Sequence, residues 1–177
     1  DRGHLRTEQR LTASAAIDAL SVEQALRLIN TQDIEVPKVV HQAIPAIGKL
    51  VNRVADGMRR GGRLIYIGAG SSGRLGVLDA AECPPTFHSD PDKVIGIIAG
   101  GDPALRHSSE GREDDPRGAH EELNHLGVNR TDVVLGLAAG GTTPYVWGAL
   151  RFASDHGAAT GLICCVPLRS LIRRQVA

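Results

Sequence analysis

The sequence predicts an α/β fold, a parallel sheet flanked by helices as an αβα sandwich and preceded by helices of its own. Three observations predict it. A short apolar run, a glycine-rich stop and a helical pattern follow one another repeatedly from Arg63 onward, and strands alternating with helices build parallel sheets. Each apolar run closes on glycines: Gly68 and Gly70, Gly100-Gly101, Gly140-Gly141. Before residue 60 the apolar residues recur instead at helical spacing.

In chain order, the polar start Asp1 to Thr12 lacks an initiating Met, and a trimmed or incomplete beginning is expected. Ser21-Val-Glu-Gln24 has capping-box form, and Val22, Ala25, Leu26 and Ile29 follow at i, i+3, i+4 and i+7, predicting a helix to about Asn30. A second helix is expected from about Pro37, with Val40, Ala43, Ile44, Ile47, Val51, Val54 and Met58 on one face, Pro45 as a point of bending and Gly61-Gly62 as its end. Core packing is the expected fate of these stripes, with a subunit interface as the alternative. The chain therefore divides into an N-terminal helical segment, 1–60, and an α/β domain, 61–177.

The domain opens with Arg63–Ile67, a strand whose uncharged β-formers suit burial on both faces. Gly68, Gly70 and Gly73 then give a loop without bulky side chains, Ser71 and Ser72 add hydroxyls, and Leu75, Val77 and Leu78 begin a helix. Strand, glycine loop and helix N-terminus present free N–H groups and a positive dipole end to an anion. The spacing also fits the dinucleotide fingerprint, which needs an acidic residue about twenty positions on at the end of the next strand. That strand, Val94–Ala99, ends in glycines instead, and Asp102 comes later. Paired serines favour a sugar phosphate. Further strands are expected at Val133–Ala138 and Gly161–Val166, with a helix from Pro144 to about Asp155 between them. Ligands of such sheets bind at the carboxyl ends of the strands, where all three glycine groups fall. After Pro167 only a short basic tail, Leu168–Ala177, remains, which leaves a sheet edge to be covered.

Composition narrows the function. Lys and Arg together number 20, as do Asp and Glu, and aromatics are 3%, so a nucleic-acid binder is not expected. No apolar run reaches the roughly 18 residues of a membrane span and no signal-peptide pattern opens the chain, which predicts a cytoplasmic protein without membrane contact. Cys83, Cys164 and Cys165 form no disulfide framework, and the scattered histidines have no ligand spacing, so no metal is expected.

Thr7–Arg10, Ile17-Asp18, Gly62–Gly76, Leu78-Asp79, Glu82-Cys-Pro-Pro-Thr86, Ala99–Gly101, Glu110-Gly111 with Glu113-Asp114, and Thr143–Val146 closely resemble the N-acetylmuramic acid 6-phosphate etherases, from about residue 5 to Pro167. The ECPPT block after GAGxSGRLG is the most specific part. Where that family reads Cys-Asn-Pro and continues, this chain reads Cys165-Val-Pro167, and a C-terminally truncated or frame-disrupted form of the family is expected. The resemblance implies a sugar isomerase (SIS) domain and a lyase of peptidoglycan recycling. It implies cleavage of the D-lactyl ether to N-acetylglucosamine 6-phosphate and D-lactate, by elimination across C2–C3 of the open-chain sugar and addition of water, with no cofactor. It further implies Glu82 and Glu113 as the catalytic pair, Glu82 as the acid on the ether oxygen and Glu113 as base or water activator. Glu82 is expected in a proline-stiffened loop after the cradle helix, with both carboxylates on one rim.

Phosphate binding falls to Gly70, Ser71, Ser72 and Gly73, completed by Thr142 and Thr143. A plain turn with capping serines is the competing reading of that loop. Arg74 is expected to pair with the phosphate or with Asp79. Cys83 is read as a packing residue, and Glu110, Asp114 and Asp115 as surface charges. A homodimer is expected. The alternative function is a non-catalytic sugar-phosphate-binding regulator of the same SIS class.

Overall fold

A computed structural model describes residues 6–109 and 111–167; Glu110 and the basic tail 168–177 lie outside the described residues. The chain forms two compact units that divide after Val51.

In the first unit three short 3-10 turns lead into α1, Val22–Asp33, and into α2, Glu35–Arg59, whose residues from Asn52 onward belong to the second unit. The capping box is complete: the Ser21 hydroxyl accepts from the Gln24 N–H at 3.3 Å and the Gln24 side chain accepts from the Ser21 N–H at 2.9 Å. Only Ile34 separates the two helices, and it too has right-handed helical backbone angles (φ −61, ψ −25). Core packing was expected for their stripes, yet none of the described residues up to Val51 is buried, and Val40, Ile44, Ile47 and Val51 are exposed.

The second unit contains β1 (Leu64–Gly68), α3 (Gly70–Phe87), β2 (Val94–Ile98), α4 (His120–His125), β3 (Val133–Leu137), α5 (Pro144–Asp155) and β4 (Ala159–Ile163). The strands are parallel in the order β2-β1-β3-β4. Their pairing is level, Gly68 lying opposite both Ile98 and Leu137, and Leu137 opposite Ile163. All four strands therefore end on one rim.

Alternation along β1 sets the layers. Ile65 and Ile67 face one side and are fully buried in a cluster with Val134 of β3, Leu123 of α4, and Val146 and Ala149 of α5. Each of the Ile, Val and Leu side chains contributes about 1.5–3 kcal/mol of burial free energy. Tyr66 and Gly68 face α3. A Cβ placed on Gly68 would lie 2.6 Å from Gly73 Cα, and one on Gly73 would lie 2.8 Å from the Gly68 carbonyl. The bare backbones thus let the first turn of α3 rest directly on the end of β1.

The expected loop around Glu82 is instead the last part of α3, which runs through Pro84 and Pro85. Each proline gives up one helical hydrogen bond. The helix stops at once afterwards, on His88 in the left-handed region (φ 53).

Candidate active site on the carboxyl rim

The cradle is built on the first turn of α3. Ala69 is the N-cap and has no side chain with which to cap, so the N–H groups of the first turn remain free for a ligand; the first helical bond runs from the Gly73 N–H to the Ala69 carbonyl at 3.1 Å. Gly70 takes a positive φ of 53. Ser71 and Ser72 sit inside the first turn, not at the cap, and neither hydroxyl bonds to another described residue. Ser71 is exposed and Ser72 half-buried. A capping role does not explain them. Two hydroxyls, free N–H groups and a helix dipole end share the first turn of α3, a set of donors that suits a phosphate dianion.

Thr142 and Thr143 belong to the same rim, beyond β3. Thr143 is the N-cap of α5 without a side-chain capping bond, and both threonines are half-buried. The turn before them is held by a residue the sequence reading passed over: the Trp147 indole donates to the Gly141 carbonyl at 2.8 Å. A helical side chain covers the turn N-terminal to its own Cα, so a tryptophan six residues past the glycine pair was a readable signal. Thr142 also borders a groove of about 790 Å³ between α5 and β4, lined in addition by Pro116, Trp147 and Arg151. None of the cradle or glutamate positions lines that groove.

Glu113 stands at the rim. Its carbonyl accepts from the Tyr145 N–H at 3.0 Å, which ties its loop to the first turn of α5, and the residue is half-buried. Glu82 is elsewhere. Twelve residues into α3, it lies about 18 Å down the axis from Gly70. Gly73, Gly76 and Ala80 are the buried positions of the helix, whereas Glu82 is exposed in line with Leu75 and Leu78, 64% and 57% exposed. One chain therefore carries the two carboxylates without bringing them to one rim, contrary to expectation.

Arg74 serves neither of its expected partners. Its Nε donates to the Ala104 carbonyl at 2.9 Å and its Nη2 to the His107 carbonyl at 3.2 Å, fastening the loop after β2 to α3. Asp79 instead accepts from the Tyr66 hydroxyl at 2.8 Å. Burial, and then that bond to Asp79, push the phenol well above its ordinary range. The Cys83 thiol is likewise raised by burial and by Asp79, which suits a packing residue and not a thiolate nucleophile. Glu122 of α4, not singled out from the sequence, is raised by partial burial and by Asp102.

Residues 45–154 match the family described as the glucokinase regulatory protein N-terminal SIS domain. The chain is 51% identical over 168 residues to an N-acetylmuramic acid 6-phosphate etherase of Prochlorococcus marinus (strain MIT 9303), covering 95% of this chain and 53% of the relative. To the protein of the same name in Staphylococcus aureus (strain USA300) it is 50% identical over 159 residues, covering 90% and 53%. The chain thus spans about half the length of the curated relatives it matches. Among solved structures, a phosphoheptose isomerase from Francisella tularensis superimposes with a TM-score of 0.62 at 18% identity, over 83% of this chain and 80% of that one. At that identity the likeness is one of fold.

Proposed function

The chain belongs to the SIS family named for the N-terminal domain of glucokinase regulatory protein and is a relative of the N-acetylmuramic acid 6-phosphate etherases, and on that premise we propose that it carries the phosphate-binding and catalytic portion of such a lyase. The observation that carries the reading is the cradle itself, with two uncommitted serine hydroxyls at an uncapped helix N-terminus on the rim that also holds Glu113. The substrate is N-acetylmuramic acid 6-phosphate, its phosphate on Gly70–Gly73 and its far side toward Thr142 and Thr143. In the open-chain sugar the C1 aldehyde acidifies the C2 proton. Glu113 removes that proton, the C3–O bond breaks, and Glu82 protonates the departing lactate oxygen. Water then adds across C2=C3, giving N-acetylglucosamine 6-phosphate and D-lactate.

Glu82 cannot reach the cradle of its own chain, about 18 Å along α3. The acid at each cradle therefore comes from a second protomer laid on the outer face of α3, where Leu75 and Leu78 expose apolar surface beside it. The working enzyme in this reading is a cytoplasmic homodimer that needs no cofactor, with 61–177 as the sugar-phosphate domain.

A second reading keeps the cradle and drops turnover: a sugar-phosphate-binding regulator, favoured by a family description that bears a regulatory protein's name. Glu82→Gln separates the two. The lyase reading expects turnover to fall by about 10²–10⁴-fold with sugar-phosphate binding retained. A parent chain that binds the sugar phosphate and releases no lactate would favour the regulator.

A further inference from the structure

We propose that Gly148 of α5 is a positioning residue for Glu113, acting through the backbone of the segment that carries it. The inference rests on the lyase reading, in which Glu113 takes the C2 proton, and adds what holds that base in place.

Residues 111–118 form a strap with an anchor at each end. Upstream, the Ser109 hydroxyl donates to the Ala99 carbonyl at 3.1 Å and the Arg112 N–H to the Ser109 carbonyl at 3.2 Å, which ties the strap to the end of β2. Downstream it lies along α5. The Glu113 carbonyl accepts from the Tyr145 N–H at 3.0 Å, one of the first-turn donors that the Thr143 side chain leaves uncapped. Three residues further on, Pro116 rests against Gly148. Tyr145 and Gly148 are three positions apart and so share one face of the helix. Both contacts belong to one seat.

Gly148 is what lets the seat close. A Cβ built there would fall on the Pro116 carbonyl oxygen and lie within 2.8 Å of the Pro116 Cα. Glycine is a poor former of helix interiors, and this backbone contact accounts for its presence in α5. A side chain at 148 must displace one of the two. The helix has little room to yield, because Val146, Ala149 and Ala153 are fully buried. The strap gives way instead, since residues 114–118 are exposed. Nor is the shift absorbed locally. Asp115 closes a turn, its Oδ1 accepting from the Arg117 N–H at 2.8 Å and its carbonyl from the Gly118 N–H at 3.2 Å, and Pro116 has a fixed φ. Movement at Pro116 is therefore passed to Glu113. Gly118 repeats the device more gently: a Cβ there would meet the Tyr145 ring at 2.9 and 3.0 Å.

The test compares the parent chain with Gly148→Ala, Gly118→Ala and a control, Ala153→Gly, which loosens α5 from its buried side. Backbone hydrogen–deuterium exchange over 111–118 is measured beside kcat and KM for lactate release from N-acetylmuramic acid 6-phosphate. Both strap variants are expected to exchange faster there. Gly148→Ala should lose kcat by about 10–100-fold, because misplacing a reacting group by about 1 Å costs up to about 10²-fold. KM, and the Kd for glucosamine 6-phosphate by calorimetry, should stay close to the parent values, since the cradle stands on α3. Ala153→Gly should melt earlier and keep its kcat where it is folded. Unchanged exchange over 111–118 in Gly148→Ala overturns the proposal. So does faster exchange with kcat retained, or an equal loss of kcat in Ala153→Gly. If Gly148→Ala fails to fold, Gly118→Ala decides by the same criteria. A parent that binds glucosamine 6-phosphate yet neither releases lactate nor exchanges the C2 proton removes the lyase reading, and this role with it; full turnover in the strap variants removes the role alone.

Discussion

The guanidinium of Arg63, one residue before β1, closes on the carboxylate of Asp132, one residue before β3, with Nε to Oδ1 at 3.0 Å and Nη2 to Oδ2 at 2.7 Å. The Arg63 N–H adds a bond to Oδ1 at 2.9 Å and the Asn129 N–H one to Oδ2 at 3.1 Å. This clamp pins the two central strands at the end opposite the cradle, and it sets the register that levels the rim. Burial alone would push the Asp132 carboxyl up, but the Arg63 side chain and the backbone donors outweigh it and hold the group below its ordinary range.

The consequence is an acid-labile fold. A carboxyl depressed in the folded state contributes stability above its unfolded pKa of about 3.9, and that contribution is lost as pH falls through the lower folded value. Asp132→Asn is expected to lower unfolding free energy at pH 7 by about 3 kcal/mol, the low end for a broken buried pair because Arg63 retains some solvent contact. Urea denaturation at pH 7 and pH 3 checks it: the parent should lose stability between the two, and the variant should lose less.

Gly73→Ala tests how the cradle is held. The added methyl would meet the Gly68 carbonyl at 2.8 Å and Ile98 Cγ1 at 2.7 Å, and backbone cannot step aside cheaply. The first turn of α3 should lift from β1. We expect a loss of about 1–3 kcal/mol in stability together with weaker binding of glucosamine 6-phosphate by calorimetry. Stability lost with affinity unchanged would mean that the cradle does not depend on this contact.

Much of this architecture was legible in the sequence, because it rests on local rules. The capping box at Ser21, the glycine stops and the helix from Pro144 to Asp155 follow from nearest-neighbour chemistry, and all appear in the fold. The failures were tertiary. Pro84-Pro85 reads as a loop, but a helix already packed on β1 and β2 tolerates two lost hydrogen bonds near its end. The α2 stripe reads as core, because periodicity shows that a face is apolar without showing what covers it. Arg74 beside a phosphate loop and five residues from Asp79 reads as an ion pair, whereas carbonyls thirty and thirty-three positions later claim it. For Glu82, resemblance supplied a role and only helix geometry showed the distance.

Ser71→Ala and Ser72→Ala should therefore differ from Arg74→Ala in kind. Each serine variant removes a donor to the phosphate, expected to weaken sugar-phosphate binding about 10-fold, with melting temperature unchanged because neither hydroxyl supports the described fold. Arg74→Ala unties the loop after β2 and should lower stability by about 1–3 kcal/mol, with a smaller effect on affinity per phosphate. Thermal melts and calorimetry on the three variants decide the matter, and a large affinity loss without destabilisation in Arg74→Ala would reassign that residue to the phosphate.

The most direct test of the account is proton NMR of the purified chain with N-acetylmuramic acid 6-phosphate in D2O, following the lactate methyl and the sugar C2 proton in one tube. The elimination route through Glu113 and a partner-supplied Glu82 predicts lactate release with deuterium entering C2, and loss of lactate release in Glu82→Gln. Lactate released with the C2 proton fully retained would contradict the elimination; neither lactate nor exchange, with saturation transfer still showing the sugar bound, would contradict the lyase and leave the binding module.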